Sequence, residues 1–267
     1  MKKQNISLVI ILLALSAFTY TIWRTQNTKP TVRLNDAKLA REQTSTATSP
    51  TAERTAKESD LVKNDEPVNT TVTKDEAYPP TKLLLVPFTP QAPTANWDEL
   101  HNEGCEEASA IMAAAYFSGD TRSTLPPQVV EQSITELTNW QLQHFGYSLD
   151  TTVEETAEMI REVYHRKATV VQNMSEEDIK QTIAKNKLVI IPVNGRLIDN
   201  PHYKQPGPLY HMLLVRGYTP TRLVTNDSGT KFGQNYSYAF TTLQSAMVDW
   251  DHASGTIKPA RSVVIVQ

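Results

Sequence analysis

The residue best suited to nucleophilic chemistry is Cys105, the only cysteine among the 267 residues. It has no partner for an intramolecular disulfide, so its thiol is free to react. Cys105 follows Gly104 and precedes apolar residues spaced three and four apart, which predicts a helix that begins at Cys105. The first turn of a helix favours a thiolate, because the helix dipole and the unpaired amides attract negative charge. We therefore predict that Cys105 is a nucleophile.

The acidic neighbours Glu106 and Glu107 oppose this prediction. Negative side chains that face the sulfur raise the thiol pKa, so a thiolate then needs a nearby cation. Without that cation, a single cysteine is more often a small buried hydrophobic residue than a nucleophile.

Of the six histidines, His211 is the best candidate for the cation and general base. It follows Gly207-Pro208 and opens an apolar run to Val215, which is typical of a core strand. The alternative is a structural histidine in the core, whose ring nitrogens are hydrogen-bonded by neighbouring groups. Three other histidines lie in helical or polar stretches and are expected at the surface: His144, His165 and His252.

A carboxylate able to orient the imidazole lies at Asp227, beyond a turn at Thr219–Thr221. A three-residue hairpin loop there places Asp227 opposite Leu213 and on the same face as His211, while Asn226 points away. A shift of one residue would exchange Asn226 and Asp227. Taken alone, Asp227 and the two residues after it are more typical of a plain turn, and we expect the Asp227 carboxylate to lie exposed in that turn.

Gln91 is the candidate donor for an oxyanion hole. It lies between Pro90 and Pro93, which restrict the loop, and it precedes Cys105 by 14 residues. A glutamine amide can stabilise an oxyanion beside the backbone N–H of the nucleophile without adding a charge.

The elements that position these residues follow an order of helices first and strands mostly afterwards. An apolar strand is predicted from Leu83 to Phe88, before the helix at Cys105 that Gly119 ends. Further helices are predicted at about 127–142, 152–165 with a capping box, and 176–185 with Ser175 as cap. Strands are predicted at 168–172, 188–193, 210–218, 222–226 and 262–266. This order predicts an α+β fold with an antiparallel sheet.

Composition divides the chain into three parts. Residues 1–23 contain the uncharged stretch Ile6–Trp23, long enough for a transmembrane signal-anchor, with a cleaved signal peptide as the alternative. Residues 24–82 contain no glycine and one aromatic residue, so we expect a disordered stalk. Residues 83–267 form the expected globular domain. The domain is then extracytoplasmic, and secreted if the first segment is cleaved.

The net charge of −3 shows no basic excess, so we expect no nucleic-acid partner and membrane contact only through the N-terminal helix. The expected partner is a peptide or protein substrate. We expect neither a cofactor nor a metal, and the sequence leaves the oligomeric state open.

Several short segments together resemble the bacterial C39-like cysteine peptidases, papain-like relatives of the double-glycine leader peptidases of bacteriocin exporters. The segments are Val86–Pro93, Asn96–Asp98, Glu103–Ser109, Asn194–Arg196, Tyr210–Met212, Gly217–Tyr218 and Asn226–Thr230. The resemblance implies a papain-like fold, with a helical part followed by an antiparallel sheet. It also implies that Cys105, His211 and Asp227 are catalytic, that Gln91 is the oxyanion residue, and that peptide bonds are hydrolysed through a thioester.

The chain departs from the family pattern in two respects. Ser228 follows Asp227 where the family usually has proline, and no transporter segment follows, so a bacteriocin leader is not the expected substrate. Two alternatives remain open: a peptidoglycan peptide amidase or transpeptidase, and an inactive peptidase-fold binding module.

Overall fold

The structure is a computed structural model that describes residues 78–267. Within these residues it contains a 3₁₀ helix at Gly195–Leu197, six α-helices and nine β-strands. The helices are α1 Glu99–Asn102, α2 Cys105–Phe117, α3 Pro127–His144, α4 Val153–Tyr164, α5 Glu176–Ala184 and α6 Phe240–Ala246. The strands are β1 Lys82–Leu83, β2 Ala168–Gln172, β3 Leu188–Val193, β4 His211–Tyr218, β5 Leu223–Asn226, β6 Gln234–Tyr238, β7 Val248–Asp251, β8 Thr256–Pro259 and β9 Ser262–Val266.

The main sheet is antiparallel throughout and has seven strands. Six of them follow the order β2-β9-β3-β4-β5-β6, and β1 pairs with β4. Every residue of β3 and β4 is buried, which explains the apolar runs at Leu188–Val193 and at Met212–Val215. Helix α2 packs against β4, and Cys105 at the start of α2 contacts Met212, the second residue of β4. The predicted α+β, papain-like architecture is confirmed.

Local signals place most elements within one or two residues of their predicted bounds. Thr152 and Glu155 form the predicted capping box at the start of α4. Ser175 caps α5 as predicted, and Asp178 completes a second capping box. These caps satisfy the amides that have no partner inside the first turn of a helix.

The predicted strand at Leu83–Phe88 is wrong over most of its length. Only Lys82 and Leu83 are in a strand, and Leu84 then donates its amide to Arg216 O at 2.8 Å. Pro87 has no N–H to donate to a ladder, which limits the pairing of this segment. Strands β6 to β8 and helices α1 and α6 were not predicted. Several of their sequences are polar or aromatic and lack a clear apolar period.

The β4–β5 hairpin differs from its prediction at the turn. Tyr218 pairs with Leu223 and not with Arg222, so the loop has four residues and closes through Thr219 N–H donating to Arg222 O at 2.8 Å.

A bulge at Arg216 restores the predicted register at the other end of the hairpin. Leu214 pairs with Asn226, as it would with a three-residue loop and no bulge. The buried Arg216 guanidinium donates to Leu84 O, which ties the bulge to the segment after β1. The longer loop and the bulge shift the register in opposite directions and cancel. Asp227 therefore lies on the same face of the hairpin as His211.

The predicted anchor and most of the predicted stalk lie outside the described residues. Within residues 78–267, no helix combines the length and the apolar character that crossing a bilayer requires. Tyr78 lies before the predicted domain boundary and contacts Tyr218 edge to face, with ring centroids 5.6 Å apart.

The turn after β5 depends on close backbone packing at Gly233. Asp227 N–H donates to Gly233 O at 3.0 Å, and a Cβ added to Gly233 would lie 1.7 Å from Asp227 O. No side chain fits there unless the backbone moves. Gly104 is different, since its φ of −89° suits any residue and an added Cβ would meet nothing closer than 3.4 Å.

We predict that Gly233→Ala lowers the free energy of unfolding by about 2–3 kcal/mol or more, because it overpacks the turn that holds Asp227. Gly104→Ala, the matched control, should cost about 1 kcal/mol or less. Chemical denaturation of both variants measures the difference. Equal losses for the two variants would contradict the packing described for Gly233.

Candidate active site

Cys105 begins α2 as predicted, and its thiol lies against the start of β4. The side chain is buried, with 3% of its surface exposed. Its sulfur accepts a hydrogen bond from Met212 N–H at 3.3 Å and donates one to Glu106 Oε2 at 3.0 Å. Met212 directly follows His211, so the fold brings the thiol and the histidine together across 106 residues of sequence.

The thiol is not activated in this arrangement. Burial raises the pKa of Cys105 well above its usual value, and the facing carboxyl of Glu106 raises it further. The amide of Met212 acts in the opposite direction. The expectation that the helix start lowers the thiol pKa is therefore reversed, since desolvation and Glu106 outweigh it. The thiolate requires a proton acceptor and a cation nearby.

His211 is the first residue of β4 and is almost fully buried. Its Nε2 lies 2.9 Å from Asp227 Oδ1. The described residues show no hydrogen bond between the imidazole and the Cys105 sulfur. Because Nε2 donates to a carboxylate, a neutral His211 keeps its lone pair on Nδ1, and Nδ1 is the atom that can accept a proton.

Asp227 is fully buried and accepts hydrogen bonds from five groups. Besides His211, the amide of Gly229 donates to Oδ1 at 3.1 Å. Oδ2 accepts from Tyr203 Oη at 2.7 Å, from Tyr238 Oη at 2.6 Å and from Asn200 Nδ2 at 2.9 Å. The donors come from the segment between β3 and β4, from the end of β6 and from the turn itself, so several elements fix one carboxylate.

This environment keeps Asp227 ionised. Burial alone would raise its pKa, but His211 and the tyrosine hydroxyls hold the pKa below its usual value. A carboxylate with several donors favours its charged form even when it is removed from water. The expectation that Asp227 lies in an exposed turn is wrong.

The sequence did not indicate Asn200, Tyr203 or Tyr238. Asn200 and Tyr203 lie in an irregular segment without periodicity, and Tyr238 ends an unpredicted strand. The ring of Tyr203 also contacts the His211 ring edge to face, with centroids 5.6 Å apart. Tyr203 therefore limits movement of both members of the pair.

Asn226 points to the opposite side, as predicted. Its side chain donates to Pro87 O at 3.1 Å and accepts from Arg216 at 3.3 Å. It does not contact His211. The structure thus favours Asp227 over Asn226 as the orienting residue.

Gln91 lies beside the start of α2, but its donors are already in use. Nε2 donates to His101 O and Asn102 O, each at 2.9 Å. An added Cβ on Gly104 would lie 3.7 Å from Gln91 Cβ, which places Gln91 next to the residue before the cysteine. Its oxyanion role stays a prediction and requires one of these hydrogen bonds to be exchanged.

The loop that carries Gln91 is held by His101, which sequence reasoning did not assign to the site. The buried His101 ring lies 2.6 Å from Asp98 Oδ1 and 2.8 Å from Glu131 Oε2. Burial lowers the pKa of His101, but the two carboxylates more than offset it and the pKa is raised. The contact of His101 with Glu131 connects the loop to α3.

The described residues include no group of three or more His, Cys, Asp or Glu side chains that could hold a metal ion.

Comparison with known proteins identifies the family. The sequence matches the Peptidase_C39 like family over residues 83–257. The chain belongs to this family of C39-like peptidases. The match spans both Cys105 and the β4–β5 hairpin, so the two halves of the site lie within it.

Two other comparisons add little. No protein with a curated description matches the sequence. A crystal structure described as that of a C39-like peptidase from Bacillus anthracis shares 14% identity and a TM-score of 0.44, covering 69% of this chain and 97% of the other. Similarity at that level carries no argument about the site.

We predict that Asp227→Ala lowers the free energy of unfolding by about 3–5 kcal/mol at neutral pH, because it leaves buried donors without an acceptor. The pKa of Asp227 is lowered in the folded state, so its contribution is complete above its unfolded pKa of about 4 and is lost as the pH falls through the lowered value. Denaturation of both proteins between pH 7 and pH 2 measures this. A stability difference that does not shrink in acid would contradict the assignment.

Proposed function

We propose that this protein is a cysteine peptidase that hydrolyses peptide bonds through a thioester acyl-enzyme. The proposal rests on one arrangement of contacts. The Cys105 sulfur accepts a hydrogen bond from the amide of Met212, which directly follows His211, and Nε2 of His211 lies 2.9 Å from Asp227 Oδ1. A nucleophile, a base and a residue that orients the base are thus supplied by α2, β4 and the turn after β5.

The reaction begins with transfer of the thiol proton to His211. Asp227 holds Nε2, so Nδ1 accepts the proton from the sulfur and the imidazolium stabilises the thiolate. This charge pair offsets the burial that otherwise keeps the thiol protonated. Asp227 remains ionised throughout, since its lowered pKa disfavours protonation.

Acyl transfer follows from the same three residues. The thiolate attacks the carbonyl carbon of the substrate, and the carbon–nitrogen bond breaks as His211 returns its proton to the leaving amine. His211 then removes a proton from water, which attacks the thioester and releases the acid. The developing oxyanion would be held by the backbone N–H of Cys105 and by Gln91, once Gln91 releases a carbonyl of α1.

Location at the cell envelope is part of the proposal. It rests on the uncharged stretch Ile6–Trp23 in the sequence, which suits an export or anchor segment. The substrate would then be an extracytoplasmic peptide or protein.

The proposal is tested by alkylation and cleavage. Wild-type protein should react with iodoacetamide at pH 6 at least about ten-fold faster than the His211→Ala variant, because a thiol of raised pKa has almost no thiolate without its cation. His202→Ala is the matched control, since this exposed histidine lies one residue from Tyr203 and contacts the Phe232 ring instead of the thiol. Intact-mass spectrometry follows the reaction.

Cleavage is measured on a defined peptide mixture. Wild type should produce new peptide termini that the Cys105→Ala variant does not produce. If wild type reacts no faster than His211→Ala and cleaves nothing, the chain is a peptidase-fold binding module. If it acts only on peptidoglycan peptides, it is the envelope amidase or transpeptidase.

A further inference from the structure

The hydrogen bond between Cys105 and Glu106 is not used by the mechanism above. Glu106 is 2% exposed, and its Oε2 lies 3.0 Å from the sulfur. Its other oxygen, Oε1, is buried without a hydrogen-bond partner. An ionised carboxylate needs donors on both oxygens when it is removed from water, and Oε1 of Glu106 has none.

The charges around Glu106 favour its neutral form. Burial raises its pKa well above the usual value, and Glu107 and Asp150 raise it further. Tyr210, which lies just before β4, also interacts electrostatically with Glu106. The groups that face this carboxyl are therefore Cys105 and Glu107 on α2, Asp150 before α4, and Tyr210. None of these can supply a positive charge.

Glu107 differs from Glu106 although both begin the same helix and both are buried. Each glutamate has one buried oxygen without a partner, but the other oxygen of Glu107 accepts a hydrogen bond from the Gln141 amide of α3, whereas that of Glu106 accepts only from the thiol. Burial raises its pKa to about 7. The amide donor from Gln141 favours the ionised form of Glu107, and a negative charge on Glu107 keeps Glu106 protonated to higher pH.

We propose that Glu106 is a further catalytic residue, which in its neutral form donates a hydrogen bond from its carboxyl group to the Cys105 thiolate. The inference rests on the proposed peptidase function and deepens it. This role explains how an acidic residue can follow a nucleophilic cysteine. A neutral acid beside the sulfur stabilises a thiolate, whereas a carboxylate would oppose it.

The proton balance is simple. In the active form the thiol proton moves to Nδ1 of His211, and Glu106 turns its own O–H towards the sulfur, so the hydrogen bond reverses direction and Glu106 stays protonated. When Glu106 loses its proton to solvent at higher pH, the carboxylate accepts from the S–H group. The thiol then keeps its proton, and nucleophilic reactivity falls.

The test is the pH profile of iodoacetamide alkylation for wild type and Glu106→Gln. The alkylation rate of wild type should reach a plateau near neutral pH and then fall about ten-fold as Glu106 ionises. The fall is expected because the group that donates to the thiolate becomes an anion beside it. Glu106→Gln keeps a donor of the same shape and cannot ionise, so its plateau should persist without the alkaline loss. Glu106→Leu removes the donor and the ionisable group, so it should react more slowly than wild type on the plateau and show no alkaline loss.

Glu107→Gln is the matched control on the same turn of helix. It should keep the alkaline loss, but the loss should begin at lower pH, because the charge that holds Glu106 protonated is gone. Circular dichroism and thermal melts establish that each variant is folded.

A measurement on wild type covers the case in which a variant does not fold. Infrared difference spectra between free and alkylated protein at pH 8 should show a perturbed C=O band of a protonated carboxyl group. The proposal is overturned if that band is missing, if Glu106→Gln loses reactivity as Glu106→Leu does, or if Glu106→Gln keeps the wild-type alkaline loss. Failure of the peptidase proposal looks different, since wild type would then react no faster than His211→Ala.

Discussion

The site depends on a buried carboxylate that stays charged. Asp227 is fully buried, and removal of a carboxylate from water costs several kcal/mol unless other groups compensate it. Two tyrosine hydroxyls, an asparagine amide, a backbone N–H and the imidazole of His211 provide that compensation. The elements that bring these donors together are therefore the elements that fix the orientation of His211. The irregular segment before β4 belongs to the active site for this reason, although it contains no catalytic residue.

The site contains carboxyl groups in two opposite states. Asp227 has donors at both oxygens and a lowered pKa, while Glu106 has an oxygen without a partner and a raised pKa. In the proposed mechanism, one is an anion that fixes the base, and the other is a neutral acid beside the nucleophile. The difference comes from the hydrogen-bond donors and the neighbouring charges that the fold supplies, because both groups are almost completely buried. The type of residue alone does not decide which role a carboxyl group takes.

Much of the scaffold could be predicted from the sequence because local chemistry specifies it. The capping residues Thr152 and Ser175 and the apolar runs of β3 and β4 have strong signatures, and they fix the order of helices and strands. The positions of Cys105 and His211 at the starts of their elements follow from the same patterns. Asp227 was identified from a hairpin whose loop was predicted one residue too short, and a bulge at Arg216 compensated for that error.

The remaining features depend on tertiary contacts that no local pattern encodes. The partners of Asp227 lie in segments without periodicity, so Asn200 and Tyr203 carried no signal. Glutamates at a helix start are usually exposed. Glu106 and Glu107 are buried because α3 and β4 pack against this helix. The hydrogen bonds of Gln91 to the carbonyls of α1 likewise depend on a short helix that was not predicted.

In the proposed mechanism, Asp227 fixes the tautomer of His211 so that Nδ1 is the base. The most direct measurement is the ¹⁵N NMR spectrum of the imidazole in the Cys105→Ala variant, where no thiol proton complicates the titration. The account predicts that neutral His211 carries its proton on Nε2, with Nδ1 as the unprotonated nitrogen. A neutral His211 with its proton on Nδ1 would contradict the account, because the nitrogen assigned as the base would then already be occupied.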